Sequence, residues 1–259
     1  MREVVTTMEL NTVFAESCLV TMQRLDDASI DLIVTDCPYK IVAGGITVEN
    51  LGGVFRTTSD GTTCSNKWLK ADASRPSAVK DGAMFAHNDI SFEEWLPECY
   101  RVLKPSTHAY VMINGRNLKD LQVSAENAGF VYQNLLVWKK NNATPNKYFM
   151  QNGEFILMLS KRPARSINNL GEQTVFEIPN YIGNKYHPSE KPVELMKRFI
   201  EASSKESDIV YDPFLGSGAV AKACIELNRN WIGSEIDPEY VEVATRTIDN
   251  YEPQSVLFG

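Results

Sequence analysis

Two short stretches of the chain carry side chains whose types and spacing could do chemistry. Asp36-Cys37-Pro38-Tyr39 offers a carboxylate, a peptide carbonyl and an aromatic ring close together. That set suits a flat amine. The exocyclic amino group of a nucleobase is a poor nucleophile, because its lone pair is delocalised into the ring. Accepting its two protons on the Asp36 carboxylate and the Cys37 carbonyl favours a tetrahedral nitrogen with its lone pair aimed at an electrophile. Tyr39 would stack on the extruded base, a contact worth ~1–3 kcal/mol. The plainer alternative is a strand end followed by a turn proline and a core tyrosine.

The second stretch is Asp212-Pro213-Phe214-Leu215-Gly216-Ser217-Gly218. Glycines at 216 and 218 let the backbone turn sharply, and the helix that follows presents free N–H groups to a carboxylate or a phosphate. Glu235, about 20 positions beyond the first glycine, is placed to accept hydrogen bonds from a ribose diol. Gly216, Gly218 and Ala221 also satisfy the loose dinucleotide pattern G-x-G-x-x-A, so a nicotinamide-dependent oxidoreductase stands as a rival, and a helix-capping turn without a ligand as the bland reading. A covalent cysteine nucleophile is a poor fit: the order here is Cys37-Pro38, and Glu49-Asn50 is followed by Leu51.

The elements around these motifs alternate between strand and helix patterns, which predicts βαβ units and a mostly parallel sheet. Thr12 to Ala15 is a short apolar run, and Cys18, Leu19, Met22 and Leu25 recur at helical spacing. Ile30 to Thr35 reads as a buried strand that delivers Asp36 at its carboxyl end. Ser91 and Glu94 have capping-box spacing, opening a helix through Leu103 that Lys104-Pro105 should stop. Ala109 to Ile113, Leu135 to Trp138 and Phe155 to Leu159 are further strand candidates. Pro192 suits the first turn of a helix. Ile209-Val210-Tyr211 then reads as a strand, the glycine turn leads into a helix from Ala219, and Trp231 to Ser234 is a strand ending at Glu235. Residues 41–81 are too long for an ordinary loop and predict a functional lid or a partly disordered stretch, and 160–186 is short, polar and basic. The whole of 1–259 is expected to form one catalytic domain.

The 259 residues suffice for a large buried core without staples, and five scattered cysteines with no C-x-x-C pair exclude a disulfide scaffold and argue against zinc. No apolar run nears the roughly 18 residues of a membrane helix. The amino terminus lacks a signal-peptide pattern, which makes the cytosol the expected compartment. A net charge of −7 argues against a nucleic-acid partner when averaged. Between Lys139 and Arg198, however, ten Lys and Arg face five Glu, so that segment is +5 and the remainder −12. A basic stretch on an acidic body is compatible with one polyanion-facing surface.

Taken together, the chain resembles the amino-methyltransferases of DNA, which methylate adenine N6 or cytosine N4 with S-adenosylmethionine. Asp36-Cys37-Pro38-Tyr39 resembles the family's Asp-Pro-Pro-Tyr motif, with Cys in place of the first proline. Asp212 to Gly218 resembles its cofactor loop, and His187-Pro188-Ser189-Glu190-Lys191-Pro192 the segment before it. Catalytic motif first and cofactor motif last is the permuted order of the β class. The resemblance implies a circularly permuted, Rossmann-like α/β fold: a seven-stranded, mostly parallel sheet with helices on both faces, the strands before Asp36 and Asp212 being neighbours. It places Asp212 and Lys191 at the methionine part of the cofactor and Pro213 and Phe214 within its loop. Gly216, Ser217 and Gly218 would lie at its carboxylate, Glu235 at its ribose, and Glu16 and Ser17 near its adenine, although the family often has Gly-Asp at those two positions.

Lys139, Lys140 and Lys147 become candidates for DNA phosphate contacts, beside Trp138 and the strand from Glu154 to Leu157, which also resemble family segments near the target base. Double-stranded DNA is the implied partner, with a homodimer an allowed assembly and no metal required. The initial Asp favours adenine N6 over cytosine N4, whose enzymes more often begin the tetrapeptide with Ser. Sequence recognition is expected from the short segment between Leu159 and His187 or from 41–81.

Overall fold

The computed structural model describes residues 9–38, 90–144, 148–179 and 190–252. The 41–81 stretch, Tyr39, Lys147 and His187 lie outside them. The chain opens with β1 (Thr12–Phe14), α1 (Cys18–Gln23) and β2 (Ile30–Asp36), and continues with α2 (Phe92–Val102), β3 (Leu103–Ile113) and α3 (Leu118–Asn127). A long antiparallel pair follows, β4 (Val131–Thr144) and β5 (Gln151–Ser160), and then the short β6 (Val175–Glu177). The last third alternates α4 (Val193–Ser203), β7 (Ile209–Asp212), α5 (Ala219–Glu226), β8 (Asn230–Ser234) and α6 (Pro238–Asp249).

These strands form one sheet in the order β1-β8-β7-β2-β3-β5-β4-β6. Five of its pairings are parallel, and those of β5 with β3 and β4 are antiparallel. Side-chain alternation along the strands divides the apolar residues between two cores. Ile33, Val111 and Leu157 pack with α1, α2 and α3 residues such as Met22, Trp95 and Leu121. Leu32, Val34, Met112 and Ile156 pack with Met196, Phe199, Val220 and Ala223 of α4 and α5. A strand of a mostly parallel sheet must be apolar on both faces because crossover helices cover both, and β2 has that pattern: Ile30, Leu32, Ile33 and Val34 are fully buried.

The structure corrects three expectations. The described residues put eight strands in the sheet, not seven: β6, within the 160–186 segment, adds to the β4 edge in parallel, Trp138 opposite Phe176. A three-residue edge strand shows no periodicity, which is why sequence pattern misses it. Lys104-Pro105 does not simply stop α2. The chain enters β3 at Leu103, and Pro105 sits where the register with β2 jumps from Ile30–Leu103 to Leu32–His108, an irregularity that accommodates a residue with no N–H to donate. Pro192 is the cap residue before α4, not part of its first turn. The capping box holds as expected: the Ser91 N–H donates to the Glu94 carboxylate at 2.7 Å. Among the described residues no helix is long and apolar enough to cross a membrane.

Candidate active site

Adjacent parallel strands β2 and β7, paired at Leu32–Val210 and Ile33–Tyr211, bring Asp36 and Asp212 to the same edge of the sheet. From β7 the chain winds to β8 on one side, and from β2 to β3 on the other. A crevice opens at the carboxyl ends of strands where the winding direction switches. The two strand ends are tied together: the Thr35 hydroxyl donates to Asp212 Oδ1 at 2.7 Å, and the Phe214 N–H donates to the same oxygen at 3.0 Å. Asp212 is only 3% exposed. Burial pushes its carboxyl up to about 7, the Thr35 and Phe214 bonds oppose that rise, and the charges of Asp36 and Glu235 add to it.

The glycine turn adopts backbone that other residues resist, with φ +55° at Gly216 and +84° at Gly218. A Cβ on Gly218 would lie 2.8 Å from Ile248 Cδ1, whereas one on Gly216 would point into open space. The turn is partly satisfied from within. The Gly218 N–H donates to the Leu215 carbonyl at 3.0 Å, and the Gly216 N–H donates to Glu235 Oε2 at 2.9 Å. The other carboxylate oxygen of Glu235 accepts the Asp237 N–H at 2.9 Å, and burial raises the Glu235 pKa. Beside it lies a pocket lined by Glu16, Ser17, Phe214, Ser234, Glu235 and Ile236. Glu16 accepts from the Thr21 hydroxyl at 2.9 Å and ion-pairs with Arg24. Ser17 caps α1. Phe214 and Ile236 give this pocket an apolar wall and Glu16 and Glu235 two acids at its rim, surfaces that can receive a flat ring and a diol.

Asp36 faces the other core. Paired residues share a face, and the register runs Asp36–Met112, Met112–Ile156 and Ile156–Leu136. Two residues farther toward the same edge, Glu154 stands opposite Trp138, so Glu154 and Lys140 share that face as well. There they form a line of alternating charges. Lys191 Nζ lies 2.8 Å from Asp36 Oδ2 and 3.3 Å from Glu154 Oε2, and Lys140 Nζ lies 2.7 Å from Glu154 Oε1. Burial raises the Asp36 pKa, opposed by the Lys191 ammonium. The Glu154 carboxyl is also penalised by burial, but its two lysines bring it below its ordinary value.

The structure thus brings Asp36, Lys191 and Lys140 into one network and gathers Asp212, Pro213, Phe214, Glu235, Glu16 and Ser17 around the pocket and turn. Lys139 is elsewhere, exposed and paired with Glu177 at 2.6 Å. Cys37 is 2% exposed, its thiol donating toward the Met112 carbonyl at 3.4 Å. Burial pushes that thiol well above its ordinary pKa, which suits a packing residue and not a nucleophile. Two contributors have partners that sequence reasoning does not find. Thr35 looks like any strand threonine until its partner 177 residues away is known. The signal for Glu154 is an acid at alternation distance from a buried strand face; its register partner is Trp138, and its ion-pair partner Lys140 lies two residues farther along β4.

An open α/β sheet whose switch-point crevice lies between a carboxylate-tipped strand and a glycine turn, with an acid ending the next strand, is the arrangement of a Rossmann-like methyltransferase. Comparison with known proteins carries this to the family. The family described as DNA methylase (N6_N4_Mtase) matches residues 30–178 and 168–246. Type II methyltransferase M.HpaI of Haemophilus parainfluenzae is 30% identical over 90% of this chain and 73% of its own length. M.HinfI of Haemophilus influenzae is 28% identical over 94% and 70%. Among solved structures, M1.HpyAVI bound to S-adenosylmethionine superposes with a TM-score of 0.62 at 22% identity, over 91% of this chain and 98% of that one. The cytosine-N4-specific PvuII DNA methyltransferase does so with 0.64 at 17%, over 95% and 89%. The chain belongs to the DNA methylase family: it is an S-adenosylmethionine-dependent DNA amino-methyltransferase.

Proposed function

We propose that the chain methylates the N6 amino group of adenine in double-stranded DNA, acting on a base swung out of the helix. The observation that carries the reading is the Asp36 carboxylate at the β2 edge, next to the strand end that leads into the glycine turn. S-adenosylmethionine, when bound, supplies an electrophilic methyl group. Everything else falls to the chain. Asp36 accepts an amino proton and, with the Cys37 carbonyl and the Tyr39 ring, orients the nitrogen lone pair. Phe214 and Ile236 wall the cofactor nucleoside, Glu235 takes its ribose hydroxyls, Glu16 and Ser17 lie toward its adenine, and Asp212, with the turn from Pro213 through Gly216, Ser217 and Gly218, borders its methionine end. Positioning of this kind can supply ~7–11 kcal/mol of a barrier. Lys139 and Lys147 are assigned to phosphates; Tyr148, Phe149 and Met150, between β4 and β5, are exposed.

Asp at the first position of the tetrapeptide supports adenine, and the cytosine-N4-specific structural neighbour is what favours N4 as the second reading. The relatives named Type II methyltransferases support a place beside a restriction enzyme. The deciding experiment incubates the protein with unmethylated DNA and labelled S-adenosylmethionine, digests the DNA to nucleosides and identifies the product by mass spectrometry. N6-methyladenine is expected; N4-methylcytosine would overturn the adenine assignment.

A further inference from the structure

The Asp36 network contains two groups, Glu154 and Lys140, to which the transfer reaction gives no task. Lys191 precedes α4, Glu154 lies on β5 two residues before its buried part, and Lys140 lies on β4, so three separate elements are linked in a line that ends on the Asp36 carboxylate. Their side chains are largely withdrawn from water, Lys191 being 10% exposed, Lys140 18% and Glu154 25%. A lysine that served only solubility would not be so enclosed. Lys140 is also held over the Trp138 ring, 5.6 Å from its centroid, and that indole donates to the Ile178 carbonyl at 2.8 Å. The line therefore ends on a fixed aromatic platform.

We infer that Lys191 is a positioning residue for Asp36, and that Glu154, anchored by Lys140, is the positioning residue for Lys191. The inference rests on the proposed role of Asp36 as acceptor for the target amine. Holding Oδ2 on the ammonium fixes the carboxylate plane and directs Oδ1 to the amino proton. A partly buried carboxylate without that partner would drift toward its neutral form, and a protonated Asp36 donates where the amine needs an acceptor. Glu154 keeps the ammonium between the two acids; its own second oxygen is satisfied by Lys140, so no member is left with an unpaired charge. Among the described residues, the charged groups facing Asp36 are Lys191, Glu154 and Lys140 on this side and Asp212 on β7. Lys191 is thereby assigned to the base side of the crevice, where family resemblance alone had placed it at the cofactor.

The test measures single-turnover methyl transfer against pH for the full chain, with cofactor affinity followed by calorimetry. Lys191→Met should lower the rate near neutrality by ~10²-fold, the scale of a misplaced catalytic group, and move the acidic limb of the profile to higher pH. Lys191→Arg should recover most of the loss. Glu154→Gln should lower the rate by less and move the limb to lower pH, because the Glu154 charge raises the Asp36 pKa, and it decides the matter if Lys191→Met does not fold. Cofactor affinity should stay within about tenfold throughout. A Lys191→Met or Glu154→Gln profile that superimposes on the wild type overturns the inference, and so does a rate loss matched by an equal loss of cofactor binding. Wild-type product that proves to be N4-methylcytosine would remove the adenine assignment alone, and the shift of the acidic limb would still decide the role of Lys191.

Discussion

Replacing Asp212 with Asn should make the cofactor-free protein more stable above neutrality while leaving its stability near pH 4 almost unchanged. Asn keeps an amide oxygen where Thr35 and the Phe214 N–H now donate, and it removes the ionisable group. The folded-state pKa of Asp212 is about 7 against an ordinary 3.8. Between those values the native protein holds a proton that the unfolded chain has lost, so stability falls as pH rises. The contribution is intact below the unfolded pKa and is lost on passing through the folded one. At ~1.4 kcal/mol per unit the full effect is of the order of 4 kcal/mol, with about 2 kcal/mol of it between roughly pH 5.5 and 7. Urea unfolding of both proteins across this range isolates the effect, since Asp36, Glu235 and His108 titrate in each. The variant's advantage should grow by about 2 kcal/mol and then level off above pH 7. A difference between the two proteins that does not change with pH would refute the argument that burial holds this carboxyl protonated.

Asp36→Ala should abolish methyl transfer while cofactor affinity, measured by calorimetry, stays within about tenfold, or ~1.4 kcal/mol; loss of cofactor binding instead would show that Asp36 has been given the wrong task. Gly218→Ala meets both a positive φ and a contact of 2.8 Å with Ile248 Cδ1, so it should cost ~1–3 kcal/mol in thermal unfolding, and an unchanged melting point would contradict the packing. In the native protein Cys37 should resist iodoacetamide, because its thiol is enclosed and held neutral; rapid labelling located by mass spectrometry would reopen the covalent alternative. Lys139→Ala should weaken DNA binding on all sequences alike and flatten the slope of log affinity against log salt by about 0.9, as loss of one phosphate contact requires, whereas an unchanged slope would leave Lys139 as the surface partner of Glu177.

Local chemistry made much of this protein legible before any tertiary information. Ile30 to Val34 reads as a strand buried on both faces, Ser91 with Glu94 marks where a helix begins, and Gly216 with Gly218 marks a turn that only a permissive backbone can make. Each rests on interactions within a few residues, which is why pattern suffices. The carboxylates at 36, 212 and 235 were likewise identifiable, because they end strands whose apolar runs announce themselves.

What pattern could not supply is partnership across long separations. The eighth strand exists because β4 offers an edge, and nothing inside Val175 to Glu177 requires it. Thr35 becomes a clamp on Asp212 only when β2 lies beside β7, and Lys140, read from the sequence as a phosphate contact, turns inward once β5 presents Glu154. Composition and spacing determined which groups are available; the register between strands decided which of them meet, because a charge finds its partner through distance and burial, and neither is a property of the chain taken in order.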